Sequence, residues 1–140
     1  MYAYDIGDLQ DDVEALRWYR LAADQGYAIA QYDVGVVYAN GRGVPQDAAE
    51  AVRLYRLAAD QGLAAAQSNL GVMYANGAGV PQDDVQAHMW YNLAASRSTC
   101  EDRELAVENR DRARARMTAE QIADAQRLAR EWDAAHPREP

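Results

Sequence analysis

The residues able to form a nucleophile or a soft metal site are His88, His136 and Cys100. No two of them stand at a recurring metal-ligand spacing, and His136 falls in a short C-terminal tail. Cys100 has no second cysteine to pair with, so an intramolecular disulfide is excluded. The carboxylates fall mainly where helices should start or face water, which leaves none poised for general acid–base work. No catalytic residue, cofactor or metal ligand is expected. The chemistry that the spacing does support is recognition. Arg17 and Arg20 recur as Arg53 and Arg56, 36 positions later, and a guanidinium suits bidentate capture of a carboxylate. Leu16, Val52 and His88 share one phase of this spacing, Arg17, Arg53 and Met89 the next, and Arg20, Arg56 and Asn92 a third. Together they form the candidate peptide-binding set. The competing use of the arginines is local pairing, Glu14 with Arg17, Glu50 with Arg53 and Arg56 with Asp60, worth about 0.2–0.5 kcal/mol per pair.

The elements that must position these residues come from a repeat. Residues 11–46 and 47–82 are two copies of one 36-residue unit, identical at 25 of 36 positions. A third copy starts at Asp83 and is recognisable to Ser96. The copies share the cores Arg17-Trp-Tyr-Arg-Leu-Ala-Ala-Asp-Gln-Gly26, Arg53-Leu-Tyr-Arg-Leu-Ala-Ala-Asp-Gln-Gly62 and Met89-Trp-Tyr-Asn-Leu-Ala-Ala-Ser96. A fixed period of this length implies stacked helical units, none of which can bury its apolar face alone.

Each unit opens on a capping-box pattern: Asp11-x-x-Glu14, Asp47-x-x-Glu50 and Asp83-x-x-Gln86. A first helix then runs to Gly26 or Gly62, each an expected left-handed C′ position. Its constant residues Ala51, Tyr55, Ala58, Ala59 and Gly62 lie on one stripe, as do their counterparts in the copy before. The second helix carries Ala30, Gln31, Gly35 and Tyr38, repeated as Ala66, Gln67, Gly71 and Tyr74. Glycine inside a helix costs about 1 kcal/mol relative to alanine, so its recurrence at one phase predicts close helix approach. A return loop, Asn-Gly-x-Gly-Val-Pro-Gln-Asp, precedes the next cap. Helices are expected near 11–25, 27–40, 47–61, 63–76, 83–96, 101–116 and 119–134.

The joint pattern of the Trp-Tyr-x-Leu-Ala-Ala-x-Gln-Gly core, the Gly-x-Gly-Val-Pro loop and Ala66-Gln-x-x-Leu-Gly-x-Met-Tyr74 resembles Sel1-like repeats, a tetratricopeptide-like family of helix pairs. The resemblance covers about residues 1–96. It implies an all-α fold, an α/α solenoid of antiparallel helix pairs, that acts as an adaptor in protein complexes and has no catalytic residue to transfer. Bacterial Sel1-like proteins often end in a segment similar to Met117-Thr-Ala-Glu-Gln121. Cysteine-rich relatives have been linked to β-lactam hydrolysis, but the paired cysteines are lacking here.

Both ends of the array are irregular. Met1-Tyr2-Ala3 aligns with Val37-Tyr38-Ala39, so residues 1–10 read as the end of a second helix plus its loop. That arrangement leaves the first full repeat, 11–46, without a neighbour on one side; 47–82 is the second repeat and 83–117 a degenerate third. Residues 118–140 read as a capping helix, with Ile122, Ala125, Leu128, Ala129 and Trp132 on one face, followed by a frayed tail. A polar-faced terminal unit is what a solenoid needs.

The net charge of −8 disfavours nucleic acid and anionic membrane surfaces. No stretch is long and apolar enough to span a bilayer. Met1 to Asp8 has neither the basic segment nor the apolar run of a signal peptide, so a cytoplasmic location is expected, or a periplasmic one within a longer exported parent. The leading expectation is a non-enzymatic module that binds a peptide or protein on the concave face of the first helices. The alternative is a self-association unit, a homodimer through the N-terminal end, with a hydrolase as the remote third.

Overall fold

The computed structural model describes residues 6–137, with side chains from Val13 onward except that of Cys100. These residues form seven helices: α1 (Ile6–Asp24), α2 (Ala28–Asn40), α3 (Ala48–Asp60), α4 (Ala64–Asn76), α5 (Asp84–Arg97), α6 (Cys100–Arg114) and α7 (Ala119–Ala135). No strand occurs among the described residues. Six of the seven follow the expected spans closely. The exception is α1, which is already helical at Ile6 and passes through Asp11 without a break. The expected loop is therefore absent from residues 6–10, and Asp11 is not a cap. The reason is local: Leu9 stands where the later copies have Pro45 and Pro81, and without proline nothing stops the helix. The end of a second helix expected at the start of residues 1–10 lies outside the described residues.

The other helix ends behave as their residues dictate. Asp47 and Asp83 accept from the amides of Glu50 and Gln86, each at 3.1 Å. The reciprocal arm of the capping box forms only at Thr118 and Gln121 among the described residues; Glu50 turns instead to Arg53. Gly41 and Gly77 end α2 and α4 in the left-handed region, with φ of 69° and 66°.

Each second helix packs on the first helix of the following pair, α2 on α3 and α4 on α5. The contact is a tyrosine laid on a glycine. A Cβ at Gly35 would stand 2.8 Å from the Tyr55 ring, and one at Gly71 would stand 2.7 Å from the Tyr91 ring. Both rings are buried. Buried amides tie the pairs together: Gln31 and Gln67 donate to the carbonyls of Ala23 and Ala59. Gln61 bridges consecutive pairs by donating to Gly26 O and Gln31 Oε1, both at 2.9 Å.

The array stops after α6. In the 36-residue register Val107 stands where Gly35 and Gly71 stand, and Arg127 where Tyr55 and Tyr91 stand. The tyrosine-on-glycine contact cannot form, and α7 packs along α5 rather than on α6. Ala129 joins the core of Leu93, Met89 and Trp90, with Leu128 and Trp132 packed against it. The Trp132 ring meets Trp90 edge-on at 5.9 Å between centroids. Arg97, at the end of α5, pairs with Asp133 at 3.0 Å, donates to His136 O at 3.2 Å and covers the Trp132 ring.

Candidate functional site

The first helices α1, α3 and α5 present one face towards their second helices and the other away from them. The phase of Leu16, Val52 and His88 belongs to the inner side, and all three are buried. This corrects their assignment as ligand contacts: a side chain fixed between packed helices has no surface to offer. His88 is 1% exposed and neither ring nitrogen has a hydrogen-bond partner among the described residues. Burial, then the Arg110 and Arg114 guanidiniums, push its imidazole down to about 4, with Asp111 acting weakly in the opposite sense. Met89 is also buried, in the cluster that contains Ala129, whereas Arg17 and Arg53 at the same phase are exposed. Here the cause is tertiary, since α7 lies on α5 and no described helix lies equivalently on α3.

The arginines are split between two uses. Arg17 pairs with Glu14 at 3.9 Å and Arg53 with Glu50, and both guanidiniums remain largely in solvent. Arg20 and Arg56 reach back to the second helix of their own pair, donating to the hydroxyls of Tyr38 and Tyr74. Their guanidiniums also lie over the tyrosine rings, 5.5 and 5.6 Å from the centroids. The expected Arg56–Asp60 pair is replaced by this contact. In the third pair the same link is reversed: Arg110 of α6 donates to Asn92 of α5 at 3.3 Å. The third phase of the candidate set is thus a row of helix-to-helix ties.

The candidate set omits the apolar residues of the outer face. Leu21 and Leu57 are 49% and 42% exposed. Leu93, at the same phase as Leu21 and Leu57, is 1% exposed because α7 covers it. The signal was present in the three cores, where leucine at 21, 57 and 93 is constant although it lies off the buried stripe. The outer face therefore consists of two open leucine rungs flanked by Arg17 and Arg53, then a third rung already occupied. On the opposite, second-helix side, Tyr32, Leu63, Ala65, Asn69, Thr99 and Leu105 border a groove of about 640 Å³. Among the described residues no group of three or more His, Cys, Asp or Glu side chains converges as a metal site. No described helix is long and apolar enough to cross a membrane.

The Sel1 repeat family model matches residues 1–27, 28–63 and 64–98. Among solved structures, the chain is similar to c5321, described as a protective antigen of uropathogenic Escherichia coli strains displaying an SLR fold. The identity is 36% and the TM-score 0.80, over 87% of this chain and 26% of that one. It is also similar to a Sel1 repeat protein from Oxalobacter formigenes, with 41% identity and a TM-score of 0.58 over 59% of this chain and 63% of that one. The chain thus spans about a quarter of the first protein and less than two thirds of the second. No curated protein matches it.

Proposed function

The chain belongs to the Sel1-repeat family, and from that premise we propose that it is a non-enzymatic module that binds a peptide or protein on the outer face of its first helices. The observation that carries this reading is the pair of open rungs, Leu21 and Leu57, at a phase where the third rung is covered. Apolar area left open beside fixed cations is what a binding surface requires. Arg17 and Arg53 would supply the polar rim; Leu16, Val52, His88 and Met89 would act only as its support. Arg20 and Arg56 hold the two helices of a pair in place, and Asn92 does the same through Arg110.

A random-peptide display selection against the immobilised protein tests the reading. Selected peptides should lose at least tenfold in affinity for Leu57→Asp and severalfold for Arg53→Glu. Leu105→Asp, on the second-helix side, should leave them unaffected. Peptides that ignore Leu57 and respond to Leu105 would move the site to the groove beside Tyr32.

A second reading, a homodimer through the N-terminal end, is favoured by Trp18, Tyr27 and Ile29, which are 63–67% exposed. The first residues of that end, with Tyr2, Tyr4 and the Ile6 side chain, lie outside those described.

A further inference from the structure

The manner in which α7 sits on α5 carries an inference about the partner itself. Transposed by one repeat, the seat of α7 becomes the open surface of α3. Leu93, against which Ala129 packs, becomes Leu57. Asp60, which accepts from the Trp132 indole at 3.4 Å, becomes Asp24. Met89 becomes Arg53, already paired with Glu50 where α5 has Gln86, so one end of the seat changes from apolar to polar. The seat on α5 is filled by a helix, no described helix fills the seat on α3, and the leucine at its centre is the same.

We propose that the face around Leu57 accepts an α-helix from a partner protein, lying beside α7 and in the pose that α7 takes on α5. The partner helix carries a small residue over Leu57, an aromatic N–H or O–H donor one turn later for Asp24, and a small or polar side chain towards the Arg53–Glu50 pair. Helices packed side by side stand about 8–10 Å apart, so such a helix would meet both α3 and the exposed flank of α7. This rests on the reading of the first-helix face as the binding surface, and adds the conformation and register of what binds.

The probe is a synthetic, fluorescently labelled peptide of residues 118–137, titrated into the full-length chain and followed by anisotropy. Saturable binding is expected, with the peptide becoming helical when bound, as read by isotope-edited nuclear magnetic resonance. Binding should weaken at least tenfold for Leu57→Asp, severalfold for Leu57→Ala, and at least tenfold when the peptide carries Trp132→Ala. Leu105→Asp should have no effect. Absence of saturable binding, equal binding to Leu57→Asp, or an extended bound peptide would overturn the inference. Display-selected peptides that need Leu57 but bind extended would overturn it while leaving the module reading intact; peptides indifferent to Leu57 would remove the module reading as well.

Discussion

His88 occupies the phase of Leu16 and Val52, so an ionisable ring stands where the other pairs place an aliphatic side chain. It is buried between α5 and α6, facing Arg110, Arg114 and Asp111, and its pKa falls to about 4. In the unfolded chain the imidazole titrates near 6.5. The folded state therefore favours the neutral ring, and its stability contribution is complete above about pH 6.5 and is lost as pH falls towards 4. The full effect is on the order of 3 kcal/mol. His88→Val should remove this part of the acid sensitivity. Thermal melts at pH 7.5 and 4.5 should show a smaller loss for the variant than for the parent; parallel losses would show that protonation of His88 does not govern the transition. The sequence placed His88 on a candidate surface because phase alone does not say which side of a helix faces a neighbour.

At the scale of elements, the helix pairs are held in register by Tyr55 on Gly35 and Tyr91 on Gly71. The recurring glycine was legible as a mark of close approach. Its occupant was not, because the tyrosine comes from the next repeat and nothing in the local pattern pairs the two. Gly71→Val would press on the mid-ring atoms of a buried tyrosine, which has no room to swing away. A loss of roughly 1–3 kcal/mol is expected, measured by denaturant unfolding of the two proteins. An unchanged midpoint would mean that α4 and α5 can separate without cost. The same logic explains α7: Val107 and Arg127 occupy the glycine and tyrosine phases, so the helix had to find another seat.

For the molecule as a whole, the open surface is concentrated at the α1 end. Tyr19 is 45% exposed whereas Tyr55 and Tyr91, at the same phase, are 3% and 4% exposed, and Trp18, Tyr27 and Ile29 extend the patch. If this patch associates with a second copy, sedimentation velocity should show a species of twice the mass as concentration rises. The double variant Trp18→Ser and Ile29→Ser should then remain monomeric at every concentration. A parent chain that stays monomeric at high concentration would end the dimer reading and leave the patch to a different partner. The net charge of −8 opposes self-association weakly at physiological salt, where exposed charges are screened over about 8 Å.

The helices, their order, most of their caps and their return loops were determined by the sequence itself, because each depends on residues a few positions apart. Proline and glycine act on their own φ, Asp47 and Asp83 cap amides three residues on, and the 36-residue period repeats these local decisions. The late start expected for α1 failed on the same local ground, since Leu9 replaces the proline that keeps the preceding loop out of the helix in the later copies. Tertiary structure alone decided which face of each first helix remained open. Burial of Met89 and Leu93 depends on where α7 lies, and α7 lies on α5 because the glycine–tyrosine contact that would have carried it onto α6 is missing from both partners. Such a choice between two seats turns on side chains 20 residues apart in sequence, and only their packing in space settles it.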